Sequence, residues 1–360
     1  MKRITLFIGS LRGGGAERVT CNLANDLCRK GYEIEVLTMS DAADTYKLDN
    51  AIKKTPLIRQ SERKNLIYDF ILRYSRLGRY MKDTDVDCYI VMLPVTIAMM
   101  LMQKRKTKAS IIASERNDPN SYSEGMKWLQ RTLAGRADGF VFQTKDAEAW
   151  YGDAVTKIQT AVIPNAINPA FIRTPYSGER EKVIAGVGRL TGQKNFSVLI
   201  NAFAEIADQF PDYNLVIYGE GEKRAALQEQ IDRLGLTTRV SLPGSIQNIA
   251  EEMEKNTAFV LSSDFEGMPN ALMEAMALGL PCISTDCPCG GPRFLIRDGE
   301  NGLLVPPNDT KAMAAALKSL LESKALRETL ASHAQEIKDT LSPDIIYDRW
   351  EQFIRTVAEK

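Results

Sequence analysis

Histidine is nearly absent: the 360-residue chain has one, His333, set among Ala and Gln in a C-terminal helical stretch. Schemes that need an imidazole acid or base have little to draw on. Cysteine is present but unpatterned, because Cys21, Cys28, Cys88, Cys282, Cys287 and Cys289 show neither paired metal-site spacing nor a disulfide framework. Reduced thiols in a cytoplasmic protein are the expectation. No apolar run reaches the roughly 20 residues of a membrane span, and the longest uncharged one, Cys88 to Met102, is interrupted by Pro94. The start, Met-Lys-Arg followed by Ile4 to Gly9, is too short for a signal peptide and runs into Arg12 and three glycines, so it reads as a strand. A dinucleotide-binding glycine fingerprint is missing too. Neither Gly9 through Gly15 nor Gly186, Gly188 and Gly192 has its spacing, which weakens a dehydrogenase reading.

Net charge is also lacking, with 46 basic and 46 acidic residues, but the balance hides a split. Residues 1–172 carry 26 Lys plus Arg against 19 Asp plus Glu, a net +7, and the remainder carries 20 against 27, a net −7. The first half is the better candidate for an anionic partner. Nucleic acid is disfavoured, since neither a recognised binding motif nor an overall basic charge supports it.

What the chain does have is alternation. Strand patterns at Ile4–Gly9, Ile34–Thr38, Tyr89–Leu93, Ser110–Ser114, Phe140–Gln143 and Thr160–Ile163 interleave with helical stretches such as Ala16–Arg29. After the Pro- and Asn-rich segment Ile163 to Pro169 the pattern begins again, with strands at Val183–Val187, Leu215–Tyr218, Val240–Leu242, Ala258–Leu261, Pro281–Ser284 and Leu303–Val305. Such alternation predicts an α/β chain with two doubly wound parallel sheets in tandem. Helical residues from Thr310 to Lys360 close it. Ligands in these sheets bind outside the carboxyl ends of the strands, so both domains are expected to offer loops to one cleft.

Three sets of residues point to chemistry. In Phe265 to Gly279, Glu266 and Glu274 are eight positions apart, with Gly267 and Pro269 between them at a turn and Leu272, Met273, Met276, Ala277 and Leu280 at helical spacing after it. Pro269 suits the first turn of that helix, whose free amides favour an anion while two carboxylates face hydroxyl groups. That combination suits a phosphorylated sugar. Gly188-Arg189-Leu190 follows a strand and Lys194 precedes a helix, so two cations five residues apart can clamp a diphosphate, or be solvated surface charge. Gly13-Gly14-Gly15 precedes Ala16-Glu17-Arg18 at a helix start, either as a phosphate or sugar cradle or as a tight turn.

Taken together, Gly188-Arg189-Leu190, Lys194-Asn195, Gly219-Glu220-Gly221, Glu266 with Glu274, and Asn301 to Val305 resemble the retaining glycosyltransferases of family 4. Gly13 to Arg18 and Pro164-Asn165 match as well, so the likeness covers nearly the whole chain. Within the family it is most similar to bacterial enzymes that extend lipid-linked glycans. The resemblance implies a GT-B fold, two facing Rossmann-like domains with a cleft between them. The expected boundaries are an acceptor domain at 1–168, a nucleotide-sugar domain at 169–342, and a helix at 343–360 packing back on the first.

It further implies that Arg189 and Lys194 hold the donor diphosphate without a metal or other cofactor, that Glu274 meets the ribose, and that Glu266 lies near the transferred sugar. Gly267, Met268, Pro269 and Asn270 would contact sugar or phosphate, Gly244 and Ile246 would edge the base, and Gly14 and Gly15 would complete the donor site. Where many relatives carry a histidine near the sugar, this chain reads Ser114 to Pro119, so Glu115 or Arg116 would contact donor sugar or acceptor phosphate, and Arg18 is a further acceptor contact. The implied donor is a nucleotide sugar, uridine diphosphate-linked, and the acceptor a lipid-linked glycan. A sugar-nucleotide epimerase of the same fold and a silent sugar-nucleotide-binding protein stand as alternatives.

Residues 53–82 contain nine Lys or Arg and two acids. Within them Leu66, Ile67, Phe70, Ile71, Tyr74 and Leu77 fall on one arc of a helical wheel and Arg73, Arg76 and Arg79 on the other. The pattern predicts a domain helix with its apolar arc in the core, a face for an anionic membrane or for the diphosphate of a lipid-linked acceptor, or both at once with the basic face doing the binding. A peripheral position at the inner face of the cytoplasmic membrane is the corresponding expectation.

Overall fold

A computed structural model describes residues 2–359. The chain forms two units, one of Met1–Ala166 with Asp344–Lys360 and one of Ile167–Pro343.

The first unit is built on a parallel sheet of seven strands: β1 Arg3–Ile8, β2 Glu33–Thr38, β3 Lys53–Pro56, β4 Cys88–Met92, β5 Ser110–Ser114, β6 Gly139–Phe142 and β7 Gln159–Val162. Their order is β3-β2-β1-β4-β5-β6-β7. The inner strands β4 and β6 are buried along their whole length, and β1 and β5 along all but their first residue, as continuous apolar strands covered on both faces must be. The edges differ. β3 is Lys-Lys-Thr-Pro, half-buried beyond its exposed first residue, and it has no apolar signature because an outermost strand needs only its backbone to pair with β2.

Crossover direction reverses between β1 and β4, which makes the carboxyl ends of these strands the natural ligand position. Gly13 to Gly15 lie there. Gly14 caps the helix Gly15–Arg29, and a Cβ on it would come 2.1 Å from Glu17 Oε2. The terminal helix Pro343–Ala358 also belongs to this unit. Its Trp350 is fully buried, and Gly139 leaves room for Val357 and Phe353 of the same helix, since a Cβ there would meet Val357 at 2.7 Å. Lys30 ties it down through Asp348 at 2.6 Å and Glu351 at 3.2 Å.

The helix Leu66–Asp83 does not put its whole apolar arc in the core. Asn65 caps it by accepting from the Tyr68 amide at 2.9 Å, but its buried residues are only Asp69, Leu77, Gly78 and Met81. The first two turns of the apolar arc face solvent: Leu66 is 82% exposed, Ile67 75% and Ile71 61%, with Phe70 also exposed. Two of the three arginines turn inward instead. Arg76 makes a bidentate pair with Glu62 at 2.6 and 2.9 Å, and Arg73 Nε donates to the Met39 carbonyl at 3.1 Å. Arg79 alone of the three is exposed.

The second unit holds β8 Glu181–Val187, β9 Asn214–Tyr218, β10 Val240–Gly244, β11 Asn256–Leu261, β12 Cys282–Thr285 and β13 Leu303–Val305 in the order β10-β9-β8-β11-β12-β13, all parallel. Its core joins Ile184, Leu215, Ile217, Val260 and Ile283 from the sheet to Leu199 and Phe203 of the helix Phe196–Ile206 and to Leu317 of the helix Thr310–Glu322. The switch point falls between β8 and β11. No helix is long and apolar enough to cross a membrane among the described residues.

Candidate active site

At the carboxyl edge of the second sheet, two loops leave neighbouring strands on either side of the switch point. One follows β8 and runs from Gly188 to Asn195; the other follows β11 and runs from Ser262 to Pro269. Their backbones interlock. Asp264 N donates to the Gln193 carbonyl at 2.9 Å, Gln193 Nε2 to the Phe265 carbonyl at 3.0 Å, and Ser262 Oγ to the Lys194 carbonyl at 2.9 Å. Asn195 holds the turn with a left-handed backbone, φ 41°, and donates through Nδ2 to Asp264 Oδ1 at 2.7 Å. Asparagine tolerates that conformation better than most residues.

This lacing brings Lys194 Nζ to 2.5 Å from Glu266 Oε1, and Ser263 Oγ donates to the same oxygen at 2.7 Å. Both partners are largely buried, with side-chain exposures of 16% and 8%. Arg189 contrasts with them. It is exposed, and its guanidinium makes no hydrogen bond or ion pair among the described residues. The loop thus offers one cation already balanced by a carboxylate and one that is not.

Pro269 caps the helix Asn270–Ala277 from just outside it, one residue earlier than its expected place in the first turn. Glu274 is the fifth residue of that helix and is buried, at 5% exposure, alongside Glu266 at 6%. Gly267, Met268 and Pro269 between them are buried as well. Backbone meets backbone here: a Cβ on Gly291 would lie 2.0 Å from the Gly267 carbonyl oxygen. Gly244 ends β10 with φ 90°, accepts from the Gly219 amide at 2.9 Å, and is followed by half-buried Ile246. Hence Gly188, Gly219 and Gly244 stand at successive strand ends along one rim.

Gly14, Gly15 and Arg18 belong to the first unit, as do Glu115 and Arg116 at the end of β5. Glu115 is enclosed. Its Oε1 accepts from Tyr122 Oη at 2.5 Å and from the amides of Arg116 and Asn117, and its Oε2 from Tyr151 Oη at 2.8 Å. Burial nevertheless raises its carboxyl pKa above the ordinary value. Arg116 is also buried, donates through Nη1 to Asn165 Oδ1 at 3.1 Å, and stacks 5.3 Å over the Trp350 ring. Desolvation pushes its pKa down to about 10.

Several members of these clusters escape sequence reasoning. Ser262, Ser263, Asp264 and Gln193 carry no motif of their own, and Gln143 and Trp350 sit far along the chain from Arg116. Only Asn195 and Asn165, inside quoted motifs, left a signal.

Two family models match consecutive stretches: Glycosyltransferase Family 4 over residues 13–171 and Glycosyl transferases group 1 over 170–337. Among characterised relatives, the chain is 30% identical to the Campylobacter jejuni N-acetylgalactosamine-N,N'-diacetylbacillosaminyl-diphospho-undecaprenol 4-alpha-N-acetylgalactosaminyltransferase, over 93% of this chain and 94% of that one. It is 27% identical to a second C. jejuni enzyme, GalNAc-alpha-(1->4)-GalNAc-alpha-(1->3)-diNAcBac-PP-undecaprenol alpha-1,4-N-acetyl-D-galactosaminyltransferase, over 99% of both. The crystal structure of Anabaena HepE in complex with UDP and glucose superposes with a TM-score of 0.85 at 19% identity, covering 99% of this chain and 100% of that one. The chain belongs to the family 4 glycosyltransferases and is an enzyme of the GT-B fold.

Proposed function

We propose that this glycosyltransferase moves a hexose or N-acetylhexosamine from a nucleotide sugar, uridine diphosphate-linked, to a lipid-linked glycan of bacterial surface polysaccharide or glycoconjugate synthesis, with retention of configuration and without a metal. The observation that carries the reading is the cation set at the β8 rim, an exposed, unpaired Arg189 beside a Lys194 held by Glu266. A diphosphate arriving there finds Arg189 as a bidentate fork, and Lys194 exchanges part of its bond to Glu266 for a phosphate oxygen. Charge develops on the leaving phosphates as the glycosidic bond lengthens, so fixed cations lower the barrier where it rises. Glu266, partly released, turns to the transferred sugar, and Glu274 to the ribose hydroxyls. Gly244, Ile246 and Gly267 to Asn270 supply backbone and apolar contacts to the donor.

The two C. jejuni relatives are named for undecaprenyl diphosphate-linked acceptors, and HepE was solved with UDP, which supports the acceptor and donor classes. Acceptor contacts are assigned to Arg18 and Arg116, since both oxygens of Glu115 are already engaged. The exposed arc Leu66, Ile67, Phe70 and Ile71 would enter an anionic membrane surface, with Lys64 and Arg79 for its headgroups, at the inner face of the cytoplasmic membrane. Incubation with a panel of nucleotide sugars and a lipid-linked oligosaccharide tests the whole. Nucleotide release that requires acceptor is the expected result; a changed sugar without acceptor would mean an epimerase, and binding without turnover a silent module.

A further inference from the structure

Half of the Arg116 guanidinium is unused. Nη1 is spent on Asn165, but Nε and Nη2 have no partner among the described residues although the side chain is only 8% exposed. Nε–H and the Nη2–H beside it form one edge of the group, the parallel fork that accepts two oxygens of a single oxyanion. A buried charge with an unsatisfied edge is costly, and proteins keep such groups where a ligand completes them.

The surroundings narrow the ligand. Ser114 Oγ and Gln143 Oε1 are likewise buried without a hydrogen-bond partner. Ser114 ends β5 two residues before Arg116, and Gln143 follows the neighbouring strand β6, its Nε2 donating at 2.8 Å to the same Asn165 Oδ1 that Arg116 uses. The carboxylate next in sequence does not hydrogen-bond to the fork, because the oxygens of Glu115 are engaged by Tyr122 and Tyr151 and its influence on Arg116 is through charge alone. What remains open is one cationic fork, one hydroxyl, and one amide oxygen that needs a donor. A phosphate ester with an adjacent sugar hydroxyl has the complementary groups.

We propose that Arg116, Ser114 and Gln143 form an oxyanion site in the first unit that binds a glycosyl phosphate, the phosphate on the Nε–Nη2 edge of Arg116 and a sugar hydroxyl on Gln143 Oε1. It rests on the acceptor reading above, in which the glycosyl diphosphate of a lipid-linked glycan is the molecule of that chemistry. A free sugar phosphate is the other source.

The full chain, Arg116→Lys and Arg116→Met are compared by calorimetry against N-acetylglucosamine 1-phosphate, a short-chain prenyl diphosphate-linked disaccharide, UDP and glucuronate. Both glycosyl phosphates should bind the parent. Arg116→Met should bind them at least tenfold more weakly and Arg116→Lys to an intermediate degree, with UDP affinity unchanged in both. The ligand-free melting temperature of Arg116→Met should not fall, since the variant exchanges one bond to Asn165 and a ring contact for relief of a buried charge whose Nε–Nη2 edge lacks partners. Should Arg116→Met fail to fold, Arg116→Lys with intact UDP binding carries the test.

Unchanged glycosyl phosphate affinity in either folded variant would overturn the site, as would glucuronate binding in preference to phosphate. A lower melting temperature together with unchanged affinity would make Arg116 a structural, water-solvated residue. Transfer kinetics separate the two readings. If the lipid-linked acceptor is used with an unaltered KM by Arg116→Lys, this site falls and the acceptor reading stands. If no lipid-linked acceptor is used but Arg116-dependent binding of the sugar phosphate persists, the site stands with a free ligand.

Discussion

Lys194 and Glu266, 72 positions apart in sequence, meet at 2.5 Å at the carboxyl edge of the second sheet. Each is the other's principal countercharge, with Ser263 as the only additional side-chain donor to Glu266 that the structure provides among the described residues. The pair joins the loop after β8 to the loop after β11, so a group assigned to donor binding also holds two loops in register.

Lys194→Met should therefore cost stability as well as activity. Removing one member of a buried pair typically costs about 3–5 kcal/mol, because the other is left uncompensated. In urea denaturation the single variant should lose that order of stability, and the double variant Lys194→Met with Glu266→Gln should regain much of it. Equal losses in single and double variants would show that the pair is not a structural unit.

Arg189→Ala should behave differently. With no partner to lose, the variant should melt within about a degree of the parent, since surface changes of this kind fall within about 0.5 kcal/mol. Donor affinity should drop roughly ten- to hundredfold, the worth of charge-assisted hydrogen bonds of about 1.5–3 kcal/mol. Isothermal titration with UDP measures it, and an unchanged Kd would remove Arg189 from the site.

Replacing Leu66, Ile67, Phe70 and Ile71 by Ser should reduce sedimentation with anionic liposomes at least tenfold, since burial of each such side chain is worth about 1.5–3 kcal/mol. The charge arm of the experiment is Lys64→Gln with Arg79→Gln. Arg73 and Arg76 are unsuitable because their guanidinium groups already bond to Met39 and Glu62. A polar quadruple variant that pellets like the parent would disprove the membrane face.

Glu115 supplies a dependence on pH. Its folded pKa lies above the unfolded value through burial, so its contribution favours folding below the unfolded pKa and is lost as pH rises through the folded one. The parent should lose stability relative to Glu115→Gln as pH climbs from about 4.5, near the ordinary glutamate value. Chemical denaturation across pH 4 to 8, roughly the span in which a raised carboxylate titrates, reads this directly. Parallel curves for the two proteins would contradict it.

How much of this was legible in the sequence depended on how far each signal reached. The inner strands read clearly because burial on both faces leaves continuous apolar runs such as Tyr89–Met92. β3 did not, because an edge strand of Lys, Thr and Pro looks like a loop until its neighbour is known. The Leu66–Asp83 wheel correctly gave an apolar arc, yet a wheel says nothing of what lies opposite, and its first two turns proved to face water. At the site, the spacing of Glu266 and Glu274 was local and visible. The lacing of the two loops was not, because each bond joins residues some seventy positions apart with no periodic pattern.

The terminal helix makes the first unit discontinuous: Trp350 and its neighbours complete a core whose other members precede Ala166. During synthesis, then, the half that emerges first is the last to be finished. The second unit is contiguous from Ile167 to Pro343 and needs no later segment, whereas the β5 and β6 face of the first sheet waits for a helix made only after that whole unit. A premature stop a few residues after Pro343 would thus spare the second unit and leave the first, with Arg116 deprived of its stacking partner, incomplete.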